Sequence, residues 1–351
     1  MSPEPGELFL AEVREQPDAL ARLANREREL GAAAAALRRP GVRFVRIVAH
    51  GSSDNAATYG TYVLGLIAGV TAFRDSISLP VYYGTELDAG DSCVIALSQS
   101  GRTPDVVEYV ERAHHAGAPT IAITNDPGSP MADAADVVVG LDAGEERSVA
   151  ATKTYMTQLA VLVLLAAHAG GQGRAYHEGL RATSGLLSLA LADLEVSASE
   201  AAEMFADAER MPVIARGPEY ATARELALKL LEMARLTALP FTATDFGHGP
   251  LAVLDPGDPL WAIAAADASL PAVSEAVARA NAAGAEVIVS GAAAASIDGA
   301  RLAIPVPEPP LALLAPLLSI VPGQLFAAAL AAAKGLDPDR PRGLAKVTVV
   351  P

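Results

Sequence analysis

The chain predicts an α/β protein built of two tandem units, each a parallel sheet flanked by helices in three αβα layers. Three observations carry this. Short apolar runs alternate with stretches of helical spacing, as buried parallel strands joined by crossover helices require. The pattern occurs twice: Gly51 and Gly217 each end an apolar run, Gly117 and Gly284 each follow a helix, and matching positions lie 166 to 168 residues apart. Hydrophobic residues make up 51% of the 351, enough to bury two cores of ordinary size.

The elements follow in order. Glu7 to Leu37 has helical spacing throughout. A strand over 43–49 ends at His50-Gly51-Ser52-Ser53, and a helix is expected from Asn55 to Ala68. Ser92–Leu97 is a second strand. The helix after it starts at Pro104 and ends at His115-Ala116-Gly117, before a strand over Thr120–Thr124. Tyr155–Ala167 is apolar but too short to cross a bilayer, so it is a core helix. Gly170-Gly171-Gln172-Gly173 begins a connection, and Tyr176–Arg210 is amphipathic and helical. The second copy has a strand at Pro212–Ala215, a helix over Ala221–Leu236, a strand at Leu260–Ala265, a helix ending at Ala282-Ala283-Gly284 and a strand at Glu286–Ser290. Pro310 to Ala333 is apolar and long enough to imitate a membrane span. Pro316, Pro322 and Gln324 argue instead for two buried pieces, with a helix from Pro322 to Lys334. The expected organisation is a helical segment over 1–40, a first unit over 41–170, a helical connection over 171–210 and a second unit over 211–351.

Lysine and arginine number 26 against 41 aspartate and glutamate, a net charge of −15. Such a chain attracts neither nucleic acid nor an anionic membrane. Any phosphate it binds must be held by local donors. Cys93 is the single cysteine, so no intrachain disulfide is possible, and it falls in a buried strand as a small apolar filler. Met1-Ser2-Pro3-Glu4 lacks the order of a signal peptide, which makes a cytoplasmic protein the expectation. No histidine, cysteine or carboxylate spacing points to a metal, no dinucleotide or Walker fingerprint is present, and no cofactor is expected.

One stretch points to a ligand. Ser98-Gln99-Ser100-Gly101-Arg102-Thr103 joins the second strand to its helix, with Thr103 at the N-cap and Pro104 at the first helical position. Helix N-termini offer free N–H groups and a partial positive charge, and hydroxyls add donors without adding charge. Ser98, Ser100 and Thr103 are therefore candidate phosphate ligands, with Gln99 and Ser53 at the rim. The same turn in an ordinary protein is only a serine- and glycine-rich loop with a good cap. The second copy has Ala266-Asp267-Ala268-Ser269 instead, so only the first is expected to hold phosphate.

Three further places could move protons. Lys229 and Glu232, three apart, share a face of a helix otherwise rich in leucine and alanine. Such a spacing is commonly a surface ion pair. A partly buried carboxylate there would have a raised pKa and could act as a base near neutrality. His248, one of six histidines, lies between glycines in a loop. It is either solvent-facing or a proton donor at neutral pH. Lys346 precedes Val347-Thr348-Val349-Val350, which has the composition of an ordered strand rather than a frayed tail.

Taken together, these segments resemble the sugar isomerase (SIS) family, in particular the isomerase half of glucosamine-6-phosphate synthase and its stand-alone relatives, which include amino-sugar-phosphate deaminases. The similarity covers about Leu8 to Pro351 and rests on Gly51-Ser52-Ser53, Ser98 to Thr103, Val149-Ala150-Ala151-Thr152-Lys153, Ala227 to Glu232, His248-Gly249-Pro250-Leu251 and Arg342 to Lys346. The resemblance implies two tandem SIS-type units. It assigns Glu232 as the base that carries a proton between C1 and C2 of an open-chain sugar, with Lys229 beside it. It gives His248 ring opening, from the neighbouring subunit, so that the catalytic unit is a homodimer with shared active sites. It gives Lys346 contact with the sugar carbonyl and a possible Schiff base. It places Gly51, Ser52, Val149 and Ala345 around the sugar.

The chain also departs from the family. The synthase has a glutaminase domain with a cysteine after the initiator methionine; Ser2 stands there here, and no glutaminase activity is expected. Thr237-Ala238-Leu239-Pro240 replaces a His-Ala-Glu-Ala-like stretch, which leaves the sugar open. Ser148 to Ala151 is closer to the stand-alone deaminase type. The expected partner is a small sugar phosphate, and the expected activity is aldose–ketose isomerisation of an amino-sugar phosphate or ketose 6-phosphate, with or without ammonia release. A fructosamine-6-phosphate deglycase and a non-catalytic sugar-phosphate-binding regulator are the alternatives.

Overall fold

The computed structural model describes residues 5–26 and 28–346; the tail strand expected at Val347–Val350 lies outside them. Among the described residues, ten strands form two all-parallel sheets of five. The first contains β1 (Phe44–Val48), β2 (Thr71–Arg74), β3 (Ser92–Leu97), β4 (Thr120–Thr124) and β5 (Val137–Gly140), in the spatial order 2-1-3-4-5. The second contains β6 (Arg210–Ala215), β7 (Thr237–Thr242), β8 (Pro259–Ile263), β9 (Glu286–Gly291) and β10 (Leu302–Pro305), in the order 7-6-8-9-10. The two orders are the same topology, so the sequence repeat is a repeat of folds.

Each sheet organises one compact unit. Of the described residues, the first gathers Asp18–Glu146, Lys153–Arg181, Ala345 and Lys346; the second gathers those up to Pro17, Arg147–Thr152 and Ala182–Leu344. In the first unit every residue of β3 and β4 is buried. A strand covered on both faces has no polar side to show, which is why these runs are continuously apolar rather than alternating. Val106, Tyr109, Val110 and Ala113 of the helix Pro104–His115 pack on one face against Val94, Ala96 and Ala122. On the other face lie the helices Arg28–Leu37, Gly51–Val63 and Lys153–Ala169, the last buried everywhere except His168. Cys93 lies in this core, and burial pushes its thiol up to about 12, so it is inert filler.

In the second unit the helix Leu270–Ala282 covers one face, and buried Trp261 packs on Phe326 with ring centroids 4.8 Å apart while donating to Ser290 Oγ. The helix carrying Phe326 runs unbroken over Ala315–Ala333, through Pro322. The two pieces expected from the sequence are therefore one. An interior proline costs about 3 kcal/mol. Every residue from Ala315 to Ala328 is buried, and each large apolar side chain contributes roughly 1.5–3 kcal/mol, so packing outweighs the lost hydrogen bond. This helix has the length and hydropathy of a membrane span, yet its most apolar window is 89% buried inside the protein.

Three other boundaries moved. The single opening helix is three: Glu7–Arg14, Gln16–Leu23 and Arg28–Leu37. Pro17 cannot donate to Val13 O, and the side-chain amide of Gln16 donates there instead. The connecting helix is Gly173–Met204 and stops before Arg210, which already belongs to β6 and pairs with Asp255 and Asp258. The helix after β1 begins at Gly51 rather than Asn55 and passes into a π-helical turn over Leu64–Ala68. Gly51-Ser52-Ser53 is therefore a first helical turn, not a loop. His50 is extended and Gly51 turns left-handed at φ 56°; Arg216 and Gly217 (φ 63°) repeat this in the second unit.

Candidate functional site

In a parallel sheet of order 2-1-3-4-5, the connections leaving β1 and β3 run to opposite faces. The crevice at the carboxyl ends of those strands is where such folds bind ligands. In the first unit a cavity of about 560 Å³ lies there. His50, Gly51, Ser52 and Ser53 line it from the end of β1. Ser98, Gln99, Ser100, Thr103 and Asp105 line it from the end of β3, Ser78 and Tyr82 from the intervening segment, and Lys346 from the tail. All five expected phosphate ligands are therefore together, along with Gly51, Ser52 and Lys346. Ala345 is exposed beside Lys346 without lining the cavity.

The β3 turn is tightly tied. Ser98 Oγ accepts from the Gly101 amide at 3.1 Å and pairs with Thr103 Oγ1 at 3.2 Å. Ser100 Oγ accepts from the Arg102 amide. Thr103 sits at the N-cap with Pro104 following, but its hydroxyl makes no cap bond to its own helix. It turns toward Ser98 and so stays on the cavity side. Gly101 is required: at φ 62° a Cβ would lie 2.0 Å from Ser129 Oγ. Ser53, expected at the rim, is nearly buried and accepts from Gln158 Nε2 at 2.8 Å.

Lys346 Nζ lies 2.7 Å from Glu146 Oε2, and the Glu146 side chain is fully buried. Glu146 also accepts from the Thr154 amide and hydroxyl at the start of the helix Lys153–Ala169. Sequence reasoning missed Glu146. The contact joins residues 200 positions apart, and no local pattern marks it. It missed His50, Tyr82 and Asp105 as well.

The second unit lacks most of this hydroxyl set. At the place of Ser53 it has Glu219, at the place of Ser100 it has Ala266, and Asp267 stands at the place of Gly101. Glu219 is entirely buried, accepts from Thr222 Oγ1 and Ser319 Oγ, and is pushed up to about 7 by burial. Asp267 Oδ1 takes both the amide and hydroxyl of Ser269. One carboxylate, Glu219, thus stands where the first unit has the Ser53 hydroxyl, and alanines Ala264 and Ala266 stand where it has Ser98 and Ser100.

The proposed proton carriers lie on the second unit. Lys229 and Glu232 meet at 2.5 Å on the helix Tyr220–Ala234, and Glu225, one turn back, is 3.4 Å from the same ammonium. Lys229 and Glu225 are buried, whereas the Glu232 side chain is 22% exposed. Burial works against the Lys229 charge, but the two carboxylates, Glu225 foremost, outweigh it and raise its pKa. Lys229 is thus a permanent cation. His248 is exposed in the turn after the helix Ala243–Gly247, and Val149 is half-buried in Arg147–Thr152.

The SIS domain family matches residues 43–168 and 204–334, the two sheet-bearing parts of the chain. The chain belongs to the SIS domain family. It is 35% identical over 315 residues to a glutamine–fructose-6-phosphate aminotransferase (isomerizing) of Aeropyrum pernix, an alignment covering 87% of this chain and 51% of that protein. The chain spans about half the length of the curated relatives it matches. Among solved structures, a candidate phosphosugar isomerase from Silicibacter pomeroyi is 32% identical, with a TM-score of 0.84 over 94% of this chain and 99% of that one. The C-terminal domain of glucosamine-fructose-6-phosphate aminotransferase from Francisella tularensis has a TM-score of 0.86 at 27% identity, covering 95% and 98%.

Proposed function

We propose that the protein is a phosphosugar isomerase acting on an amino-sugar phosphate or ketose 6-phosphate. The observation that carries this reading is the hydroxyl-lined crevice at the ends of β1 and β3, with a lysine at its edge. The names of the relatives, an isomerizing aminotransferase and a candidate phosphosugar isomerase, support the same chemistry. The phosphate is held by Ser98, Ser100 and Thr103 at the helix N-terminus. Lys346 meets the sugar carbonyl. Glu232 takes a proton from C2 and returns it to C1, or the reverse, while Lys229 supplies the countercharge. With a 2-amino sugar the same shift yields a ketose imine, from which water releases ammonia; run backward, ammonia adds. A regulator that only senses phosphate needs none of Lys229, Glu232, His248 and Lys346, and their joint presence favours an enzyme.

Thr103→Val tests the phosphate assignment. A hydrogen bond to a charged group contributes roughly 1.5–3 kcal/mol, so Kd for fructose 6-phosphate should rise by about tenfold or more. Affinity for unphosphorylated fructose should hardly move. Equal losses for both sugars would remove Thr103 from the phosphate site.

The exposed position of His248 supports a role in a neighbouring subunit's site. Glu232→Gln and His248→Ala chains, each nearly inactive alone, should then complement on mixing. Mixed two-fold dimers carry one intact site of two, and half the dimers are mixed, so about a quarter of the activity should return. No recovery despite proven subunit exchange would return His248 to its own subunit or remove it from catalysis.

A further inference from the structure

His50 ends the strand on one side of the crevice, and Asp105 begins the helix on the other. His50 Nε2 lies 2.8 Å from Asp105 Oδ2, so the pair bridges the two connections that form the cavity. Tyr82 donates its phenol to the same oxygen at 3.3 Å, and Asp105 Oδ1 accepts from the Val106 amide. The His50 ring is 54% exposed while Asp105 is only 14% exposed, so the imidazole is the part open to a ligand.

A carboxylate beside an anion pocket is an electrostatic problem. Unless neutralised, Asp105 opposes a bound phosphate. The charged and titratable groups lining the cavity are His50, Asp105, Tyr82 and Lys346. Lys346 is already paired with Glu146, and Asp54, on the helix that His50 caps, is paired with Arg74. The phenol of Tyr82 is neutral. Among the described residues lining the cavity, the remaining group able to supply positive charge is His50. Its ring nitrogens make the outcome depend on protonation. In the neutral imidazole with its proton on Nε2, shared with Asp105, Nδ1 is a lone pair that repels an anion. In the imidazolium, Nε2–H stays with Asp105 and Nδ1–H becomes a donor.

We propose that His50 is a titrating ligand of the substrate phosphate: Asp105 holds the ring, and binding of the phosphate ester is coupled to protonation of His50. The inference rests on the reading of this pocket as a phosphosugar site. Because the bound form favours the imidazolium, the share of the affinity that His50 supplies is lost as pH rises and the ring gives up its proton.

Isothermal titration of fructose 6-phosphate, run in two buffers of different ionisation enthalpy between pH 6 and 8.5, measures both Kd and protons taken up. The ligand's own titration cancels between wild type and variant. His50→Gln keeps a neutral donor toward Asp105; it should take up fewer protons and bind about tenfold more weakly at pH 6, with the gap closing by pH 8.5. His50→Lys fixes the charge and should bind well with little dependence on pH. Unchanged proton uptake and Kd in His50→Gln overturn the proposal. If Thr103→Val weakens the same ligand while both His50 variants match wild type, the phosphosugar reading stands and His50 falls alone. If wild type itself does not bind the ester, both fall.

Discussion

Glu232→Gln should lower turnover by two to four orders of magnitude while leaving sugar-phosphate affinity nearly intact, the range over which a positioned acid–base group typically acts. The substitution preserves shape and a hydrogen bond toward Lys229 but removes the proton acceptor. The fold should tolerate it. Lys229 is fully buried, and an unpaired buried ammonium would be costly, but Glu225 remains 3.4 Å away to balance it. Removing Glu225 instead takes away the fully buried carboxylate that does most to raise the Lys229 pKa, and stability should suffer before chemistry does. The decisive measurement is exchange of the substrate's C2 hydrogen with deuterium from solvent. A variant that binds fructose 6-phosphate but does not exchange identifies the proton carrier; normal exchange gives the task to another group.

The sheet architecture was legible because its signal is local. β3 and β4 are buried on both faces, so their boundaries match the apolar runs at Ser92–Leu97 and Thr120–Thr124 to the residue. The Ser98–Thr103 turn was legible for a similar reason, since the strand, the hydroxyls, the N-cap and the proline are contiguous. Elements set by tertiary packing were misjudged. Pro322 is a helix breaker in isolation and is overridden by a helix buried along its length. Gly51 starts a helix because a left-handed glycine follows an extended His50, which spacing alone does not reveal. The site's supporting groups were invisible for a third reason. His50 with Asp105, and Glu146 with Lys346, are pairs made across 55 and 200 residues. The expectation that only the first unit holds phosphate rests on Ala266-Asp267-Ala268-Ser269 lacking the serine and glycine pattern, whereas Glu219, at the place of Ser53, carries no local signal.

The largest expected effect on stability is at Glu146. Its carboxylate accepts from the amide and hydroxyl of Thr154, eight residues on, and from the ammonium of Lys346, 200 residues on. The Thr154 bonds satisfy the opening turn of the helix Lys153–Ala169, where a negative charge is also favoured by the helix dipole. The Lys346 bond fastens the tail to the same point. Breaking a buried ion pair from one side costs about 3–5 kcal/mol because the remaining charge is left uncompensated. Lys346 is 24% exposed, so water recovers part of its share and the lower end applies. Glu146→Ala should therefore lower the unfolding free energy by about 3 kcal/mol in denaturant titration. Glu146→Gln should cost less, since an amide oxygen can still accept from Thr154. The two variants should differ less in a second readout, cleavage by trypsin after Lys346, because both lose the charge that holds the ammonium. Rapid cleavage in both variants, against resistance in the wild type, is the expected pattern. If both variants resist cleavage as the wild type does, the tail is held by something other than this ion pair.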